Sequence, residues 1–230
     1  MAPLVLGYWD IRGRAQAIRN LLAYVGAEYE DKRYSHGTGP VPSSDEWLAD
    51  KYKLGLDFPN LPYLIDGEVR LSQSFAIMRY LGRKHGLMPK DDDTERRVDM
   101  IEIKIMDLAR RMAALCYDKN YTDDKRHKLL ADVADTLRQF EACLIKYGPF
   151  SAGTSVTYID FLLQDTLEAV KILGPTSFPK NYPFLVKYCE SVAALPGLKE
   201  YLASDRFKAW PIVSAHAKVL GPRQTPPTDG

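Results

Sequence analysis

The sequence predicts an N-terminal α/β domain with the element order βαβαββα, followed by an all-α helical bundle domain. Between residues 4 and 84 the spacing of apolar residues changes repeatedly between the periods of strands and helices. From residue 91 to 202 the spacing is almost continuously helical. The stretch between these halves is rich in Gly, Pro and charge, which interrupt regular structure. The expected division is a first domain at residues 1–85, a linker at 86–91, a helical domain at 92–220 and a flexible tail at 221–230.

The elements of the first domain follow from local patterns. An apolar run over Leu4–Tyr8 predicts a buried strand, and apolar residues at helical spacing over Arg14–Val25 predict a helix that stops before Gly26. Asp66-Gly67 lies between two short apolar runs and predicts a tight hairpin turn. The other expected elements are a strand at 28–34, a loop at 35–44, a short helix capped by Asp45, hairpin strands at 63–66 and 69–71, and a helix at 74–84.

The second domain contains one strong helix-start signal. Thr157-Tyr158-Ile159-Asp160 has the spacing of a capping box, with Asp in place of Glu, directly before an apolar run. We expect it to begin a buried helix and to be a sensitive position for stability. Helices are expected at about 92–118, 124–147, 158–173, 181–194 and 197–203.

Composition excludes several classes of partner. Of 230 residues, 46% are hydrophobic and 27% charged, as in ordinary globular proteins. The net charge of +1 gives no overall field that would attract nucleic acid or an anionic membrane. The first residues do not have the pattern of a signal peptide or membrane span, so we expect a cytoplasmic protein. Cys116, Cys143 and Cys189 are widely spaced in apolar stretches, which favours buried thiols over disulfides or a CxxC motif.

Three short segments of the first domain, at residues 6–14, 60–67 and 71–74, contain the chemically most informative residues. Tyr8 ends the first strand just before a turn, where its hydroxyl can face a cleft. Ser74 is expected to cap the third helix, whose N-terminus presents backbone N–H groups to an anion. Taken singly, each residue also has a plainer interpretation, with Tyr8 as a packing residue and Ser74 as a cap alone.

Together, Gly7-Tyr8-Trp9-Asp10-Ile11-Arg12-Gly13, Asn60-Leu61-Pro62 and Gln73-Ser74 make the chain resemble the mu-class glutathione transferases over nearly its whole length. The resemblance implies a thioredoxin-like first domain that binds glutathione and has a cis peptide bond before Pro62. It also implies conjugation of reduced glutathione, as co-substrate, to hydrophobic electrophiles in detoxification, with no prosthetic group and no metal. In this family the residue matching Tyr8 donates a hydrogen bond to the glutathione sulfur, which makes Tyr8 the catalytic candidate.

One hydrogen bond can supply the free energy that this role requires. Lowering the pKa of a thiol from about 8.5 by about two units takes roughly 2.7 kcal/mol. A hydrogen bond to a charged acceptor contributes about 1.5 to 3 kcal/mol. A tyrosine, with a pKa of about 10, keeps its proton at neutral pH and therefore remains a donor.

The resemblance assigns binding residues by position. Gln73 and Ser74 match contacts to the γ-glutamyl carboxylate, and the backbone of Leu61 matches a pairing with the cysteinyl unit. Trp47 and Lys51 share a helix face and match contacts to the glycyl end, although a half-buried Trp beside a solvated Lys is an equally good interpretation. The implied glutathione set is Tyr8, Trp9, Arg14, Trp47, Lys51, Asn60, Leu61, Pro62, Gln73, Ser74 and Asp107. The implied electrophile set is Trp9, Ile11, Ala113, Tyr117, Val213 and Ser214.

The implied macromolecular partner is a second copy of the chain. Phe58 matches an aromatic residue that the family inserts between helices of the partner, and Arg79 matches another interface position. Asp107 matches a residue that reaches the glutathione bound to the other subunit, so the site would be complete only in a homodimer. We expect no nucleic acid or membrane partner.

Three positions depart from the mu-class pattern. Arg14 replaces the usual leucine and resembles the pi-class Arg-Gly-Arg, which would add positive charge beside the thiolate or reshape the pocket floor. Ser44 stands where many members have an Arg that contacts the glycyl end of glutathione, so the resemblance does not assign this contact to Ser44. Val213 is smaller than the usual aromatic residue and, with Ala113, suggests a roomier electrophile site.

Two other functions stay open on the sequence. A non-catalytic ligand-binding or structural descendant would keep the fold, as lens crystallins and some translation factors related to this family do. The presence of Tyr8, Trp47, Lys51, Gln73 and Ser74 argues against it, as does the lack of a charged extension. A prostaglandin-type isomerase would use the same thiolate, and the sequence does not separate it from conjugation.

Overall fold

The computed structural model describes residues 3–37, 39 and 41–228. The first half has the predicted order βαβαββα, with a 3₁₀ turn at Gly13–Ala15 before the first helix. Its elements are β1 (Leu4–Trp9), α1 (Gln16–Tyr24), β2 (Tyr29–Tyr34), α2 (Asp45–Asp50), β3 (Tyr63–Asp66), β4 (Val69–Ser72) and α3 (Ser74–Lys84). The second half consists of α4 (Asp92–Cys116), α5 (Asp123–Asp132), α6 (Ala134–Tyr147), α7 (Tyr158–Leu173), α8 (Ser177–Asn181), α9 (Pro183–Ala193) and α10 (Leu198–Leu202).

The four strands form one mixed sheet in the order β2-β1-β3-β4. Strand β1 is parallel to β2 and antiparallel to β3, and β3 is antiparallel to β4. Tyr8, near the end of β1, lies opposite Arg33 of β2. After Trp9 the chain continues into the 3₁₀ turn at Gly13–Ala15 and then into α1.

Gly7 is required by the packing of β3 on β1. It lies opposite Tyr63, and a Cβ at position 7 would come within 2.1 Å of the Tyr63 ring. The buried Tyr63 ring therefore occupies the space that any side chain at position 7 would need. This close approach fixes the position of the strand residue that precedes Tyr8.

The helical domain is built around α7, which packs against α1 of the first domain and against α4 and α9. Its buried residues include Phe161, Leu163 and Leu167, each almost completely inaccessible to solvent. The first domain and the helical domain thus share a continuous apolar core. Among the described residues, no helix combines the length and the apolar composition needed to cross a lipid bilayer.

The predicted start of α7 at Tyr158 is confirmed, and Asp160 explains it. The buried Asp160 carboxylate accepts hydrogen bonds from the backbone N–H groups of Thr157 and Ser151, both over 2.8 Å, and from the Tyr188 hydroxyl over 2.9 Å. This one side chain therefore fixes the start of α7, the preceding loop and α9. Burial raises the pKa of Asp160, and the N–H groups of Ser151 and Thr157 lower it in part.

Several predicted helix boundaries are wrong. The helix expected at 124–147 is two helices that meet at the buried Val133. The helix expected at 181–194 is present as α9, but the short α8 before it was not predicted. The predicted cap at Asp45 is also wrong, because Ser44 takes the cap position and Asp45 begins the helix. The sequence has no Gly or Pro at the buried Val133 that would mark the break between α5 and α6.

The segment that follows α10 contains no further helix or strand in the part that the structure describes, but backbone hydrogen bonds hold it in place. The N–H groups of Arg12 and Gly13 donate to the carbonyls of Pro211 and Ile212 over 3.0 and 2.8 Å. The N–H of Lys218 donates to the carbonyl of Cys116 over 2.7 Å. The chain end thus covers both the turn after β1 and the end of α4.

Parts of three predicted regions lie outside the described residues. These are residues 1 and 2 of the first domain, residues 38 and 40 of the loop, and residues 229 and 230 of the tail. Within the described part of the tail, the N–H of Gln224 donates to the carbonyl of Gly221 over 3.2 Å. A turn therefore forms at the beginning of the segment for which we predicted flexibility.

Candidate active site

Two adjoining cavities share the side chains of Tyr8, Arg14 and Ser74. The first is mainly polar and has a volume of about 450 Å³. Every residue of its lining belongs to the glutathione set predicted from the sequence. The lining is Tyr8, Trp9, Arg14, Trp47, Asn60, Leu61, Pro62, Gln73 and Ser74.

Two residues of the predicted glutathione set do not line this cavity. Lys51 follows α2 and places its Nζ 5.2 Å from the centre of the neighbouring Tyr52 ring. Asp107 lies on α4, beside a separate surface depression, and pairs with Arg110 over 3.7 Å. Within one chain, therefore, neither the Lys51 ammonium nor the Asp107 carboxylate lines the cavity around Tyr8.

The hydroxyl of Tyr8 is held by the turn after β1. Its oxygen accepts a hydrogen bond from the backbone N–H of Arg14 over 3.1 Å. Gly13 makes this contact possible, because its φ is +44° and a Cβ there would lie 2.6 Å from the Tyr8 hydroxyl. Burial raises the pKa of Tyr8, and the N–H of Arg14 lowers it in part. The hydroxyl therefore keeps its proton at neutral pH and can donate a hydrogen bond into the cavity.

The N-terminus of α3 forms another wall of the polar cavity. Gln73 takes the cap position with φ of 71°, in the region that favours glycine, and Ser74 is the first helical residue. The prediction that Ser74 caps α3 is therefore wrong, because the strained backbone of Gln73 places Ser74 inside the first turn. The first N–H groups of a helix lack intrahelical partners and attract an anion.

The loop before β3 completes the polar cavity. The Leu61-Pro62 peptide bond is cis, as predicted. The N–H of Leu61 donates to the side-chain oxygen of Asn60 over 2.9 Å. Backbone pairing of a ligand with this N–H would therefore require the Asn60 side chain to turn away.

The second cavity is mainly apolar, has a volume of about 200 Å³ and lies between α4, α7 and the chain end. Of the predicted electrophile set, Ile11, Ala113, Tyr117 and Val213 line it. The other lining residues are Tyr8, Gly13, Arg14, Ala17, Ser74, Phe75, Ile105, Ala109, Met112, Cys116, Leu162, Asp165, Thr166, Ala169, Ile212 and Leu220.

Trp9 and Ser214 were predicted to contact the electrophile, but neither lines the apolar cavity. The Trp9 indole turns toward the loop after β2, where it stacks on His36 with ring centres 3.9 Å apart. Ser214 lies behind Tyr117, whose hydroxyl donates to the Ser214 hydroxyl over 3.1 Å and accepts from its N–H over 3.2 Å. Ser214 therefore supports Tyr117 within this chain and does not form the cavity wall.

Comparison with known proteins identifies the family of the chain. The glutathione S-transferase N-terminal domain family matches residues 4–83, and the C-terminal domain family matches residues 106–205. Glutathione S-transferase Mu 2 of Rattus norvegicus is 41% identical over 218 residues, which cover 94% of this chain and 97% of the relative. The chain belongs to the mu-class glutathione S-transferases.

Two further relatives place this transferase in the family. A glutathione S-transferase of Tyrophagus putrescentiae is 43% identical over 204 residues, covering 89% of this chain and 91% of the relative. The crystal structure of the glutathione S-transferase Blo t 8 superposes with a TM-score of 0.86 at 34% identity, covering 94% of this chain and 99% of that one.

Sequence reasoning missed most of the apolar wall of this transferase. The α4 positions 105, 109, 112 and 116 lie three or four residues apart and so face the same side as Ala113. Extending the helix face from Ala113 would have found them, but the same spacing also predicts ordinary core packing. The α7 positions 162, 165, 166 and 169 form the opposite wall on the same principle.

Two of these missed residues have polar side chains of chemical interest. Asp165 accepts a hydrogen bond from the guanidinium of the buried Arg12 over 2.7 Å, which joins the turn after β1 to α7. Cys116 is buried and lines the apolar cavity, and burial raises the pKa of its thiol to about 12. At neutral pH this cysteine is therefore a neutral thiol.

The predicted interface residues lie away from both cavities. Phe58 is 74% exposed, and its backbone carbonyl accepts a hydrogen bond from the Ser72 hydroxyl over 2.6 Å. Arg79 donates to the buried Glu102 over 2.5 and 3.1 Å, and Glu102 also accepts from the Tyr158 hydroxyl. The structure thus holds the Phe58 loop in place and ties Arg79 to the helical domain of its own chain.

Proposed function

We propose that this protein conjugates reduced glutathione to hydrophobic electrophiles in detoxification. The observation that carries the proposal is the position of the Tyr8 hydroxyl, which lies where the polar cavity meets the apolar one. A thiol compound with peptide-like polar ends suits the first cavity, and an apolar electrophile suits the second. The sulfur and the electrophilic carbon would then meet beside Tyr8.

The polar cavity supports binding of glutathione through charge and backbone groups. The N-terminus of α3 at Gln73 and Ser74 would take the γ-glutamyl carboxylate, because the partial positive charge of a helix N-terminus favours an anion. Trp47 would face the remainder of the tripeptide from α2. The exposed Arg14 side chain lines both cavities and adds positive charge at their boundary.

Tyr8 would act as the hydrogen-bond donor to the thiolate. The Arg14 N–H occupies one lone pair of the Tyr8 oxygen and so orients the hydroxyl, whose hydrogen is then available to the sulfur. The thiolate attacks the electrophilic carbon, a carbon–sulfur bond forms, and the leaving group departs or an epoxide opens. A fixed donor of this kind stabilises the anion without reorganising during the reaction.

Conjugation to a chlorinated dinitrobenzene tests this role directly. We expect Tyr8→Phe to lower kcat about a hundredfold while the affinity for glutathione is kept, because the loss of one oxyanion-type donor costs on that order. Tyr147→Phe is the matched control, since its ring lies on α6 and keeps its contact with Arg97. Equal rates in Tyr8→Phe and wild type would assign thiol ionisation to another donor. Binding of glutathione without turnover by wild type would favour the non-catalytic alternative.

We also propose that the protein is a cytoplasmic homodimer with no nucleic acid or membrane partner. The exposed apolar side chains of Phe58, Met100 and Ile103, which are 74%, 63% and 52% exposed, support an interface between copies. Sedimentation of wild type and Phe58→Ser tests the assembly. A wild-type monomer, or a variant dimer of unchanged affinity, would contradict the role of Phe58.

A further inference from the structure

His36 packs against the indole that lines the polar cavity. The rings of Trp9 and His36 are stacked, with centres 3.9 Å apart and planes inclined by 22°. Trp9 also makes an edge contact with Tyr34, whose ring in turn contacts Trp47. His36 therefore lies at the end of a row of aromatic rings that runs beneath the cavity.

The hydrogen bonds of His36 fix its tautomer. Its Nδ1 lies 3.2 Å from the carbonyl oxygen of Ser43, which can only accept, so Nδ1 carries the hydrogen. The Ser43 N–H donates back to the His36 carbonyl over 2.8 Å. The other ring nitrogen, Nε2, is buried and has no hydrogen-bond partner among the residues that the structure describes. The ring is thus held through its Nδ1–H, with Nε2 buried and unpartnered among the described residues.

The segment after α10 contributes a second histidine to this contact. The ring of His216 meets that of His36 edge-on, with centres 5.6 Å apart and planes at 86°. Nearby, the Arg223 guanidinium donates to the carbonyl of Gly39 over 3.1 Å. We name Trp9, His36 and His216 the histidine clasp, because they join the end of β1, the loop after β2 and the chain end.

Burial favours a neutral His36 in the clasp. Burial lowers the pKa of His36, the Ser43 carbonyl raises it in part, and His216 lowers it further. Glu46 on α2 accepts from the N–H of Ser35 over 2.7 Å, and Asp10 after β1 is paired with Arg33 and Lys208. These two carboxylates have cationic or N–H partners of their own. A proton on Nε2 would be a buried donor without an acceptor among the described residues.

We propose that His36 is a positioning residue for glutathione binding, whose neutral ring holds the Trp9 indole at the cavity and whose protonation releases it. The proposal rests on the proposed function in that Trp9 is taken to contact glutathione. His216 and the Arg223–Gly39 hydrogen bond keep the loop in the position that the stack requires. His36 does not touch the reacting atoms, so its effect should appear in the affinity for glutathione and its dependence on pH.

Steady-state kinetics of His36→Ala and His36→Phe test the proposal. We expect His36→Ala to raise KM for glutathione about 3- to 10-fold with little change in kcat, because one aromatic stacking contact accounts for a change of that order. His36→Phe keeps a flat ring and should stay within about twofold of wild type. His127→Ala on α5 is the control, since His127 is exposed and lies in another element. A KM for His36→Ala equal to that of His127→Ala would overturn the proposal.

The pH dependence separates positioning from simple packing. The pKa of His36 lies below the usual histidine value of about 6.5, so wild-type KM should rise only as the pH falls below that value and His36 is protonated, whereas His36→Phe should show no such rise. The same rise in both proteins would overturn the proposed release by protonation.

Tryptophan fluorescence without glutathione keeps the test independent of the proposed function. Release of Trp9 on protonation of His36 would expose the indole to water, so the wild-type emission maximum should move to longer wavelength between pH 7 and pH 5, and that of His36→Phe should move less. The emission of Trp47 and Trp210 is common to both proteins and cancels in this comparison. If wild type fails to bind glutathione, the proposed function fails, and the fluorescence still decides whether His36 holds Trp9. Identical titrations of the two proteins would overturn the clasp itself.

Discussion

The backbone N–H of Arg14 donates a hydrogen bond to the hydroxyl oxygen of Tyr8 over 3.1 Å. The contact connects the end of β1 to the 3₁₀ turn at Gly13–Ala15, within seven residues of sequence. It depends on Gly13, which has both a positive φ and no room for a side chain. The position of the catalytic candidate is therefore set by the backbone of a turn.

Gly13→Ala should displace Tyr8. A Cβ at position 13 would lie 2.6 Å from the hydroxyl, so either the ring or the Arg14 N–H must move. We expect kcat/KM for glutathione conjugation to fall about 10- to 100-fold, because small displacements of a fixed donor are costly. Gly26→Ala is the control, since Gly26 also has a positive φ of 64° but open space around it. Equal activity of the two variants would show that Tyr8 does not depend on this turn.

Val213→Phe should narrow the apolar cavity. Val213 lines a cavity of about 200 Å³, and a phenyl ring there would occupy much of it. We expect kcat/KM to fall at least about tenfold for a bulky electrophile and less than about threefold for a small one. The ratio of kcat/KM for the bulky electrophile to kcat/KM for the small one needs no further control, because a defect in glutathione binding would lower both values equally. An unchanged ratio would refute the proposal that Val213 sets the size of the electrophile.

Arg12→Met should destabilise the protein by about 2 kcal/mol, because it removes the buried guanidinium and leaves its half-buried partner Asp165 without its cation. Arg96→Met removes an exposed arginine that pairs with Asp93 and should change stability by less than about 0.5 kcal/mol. Chemical denaturation measures both. The double variant Arg12→Met, Asp165→Asn should recover part of the lost stability. If Arg12→Met loses no more stability than Arg96→Met, the Arg12–Asp165 pair does not stabilise the fold.

Asp160→Asn should also be strongly destabilising. Both carboxylate oxygens of Asp160 accept backbone N–H groups, and an amide replaces one of these acceptors with a donor. We expect a loss of about 2 to 3 kcal/mol in the free energy of unfolding. Asp135→Asn in the first turn of α6 makes the same chemical change at an exposed position. Similar losses in the two variants would show that burial and the N–H contacts are not the cause.

Local signals predicted the fold where they were strong. The capping box at Thr157–Asp160 marks the start of α7, and the Asp66-Gly67 turn lies between β3 and β4 as predicted. The break at Val133 has no such signal, since it depends on burial against other helices. Pattern alone cannot reveal a boundary that tertiary packing imposes.

The lining of the polar cavity could be predicted from the sequence more fully than the lining of the apolar cavity. The residues of the polar cavity lie in short motifs whose backbone geometry is local, such as the turn after Tyr8 and the start of α3 at Ser74. The apolar cavity joins α4, α7 and the segment that contains Ile212. Hydrogen bonds between residues 12–13 and 211–212 bring that segment into place across about two hundred residues of sequence. No local pattern encodes such a contact, so the sequence did not reveal that Ile212 and Leu220 line this cavity.

The position of Cys116 in the apolar cavity bears on whether electrophilic substrates alkylate the enzyme itself. An electrophile in the apolar cavity lies near two sulfur atoms, that of glutathione in the proposed function and that of Cys116. With a pKa of about 12, only roughly one Cys116 side chain in 10⁵ is ionised at pH 7. Glutathione beside Tyr8 would be the far stronger nucleophile. In the proposed function, the electrophile would thus react with the glutathione thiolate, and Cys116 would be spared alkylation.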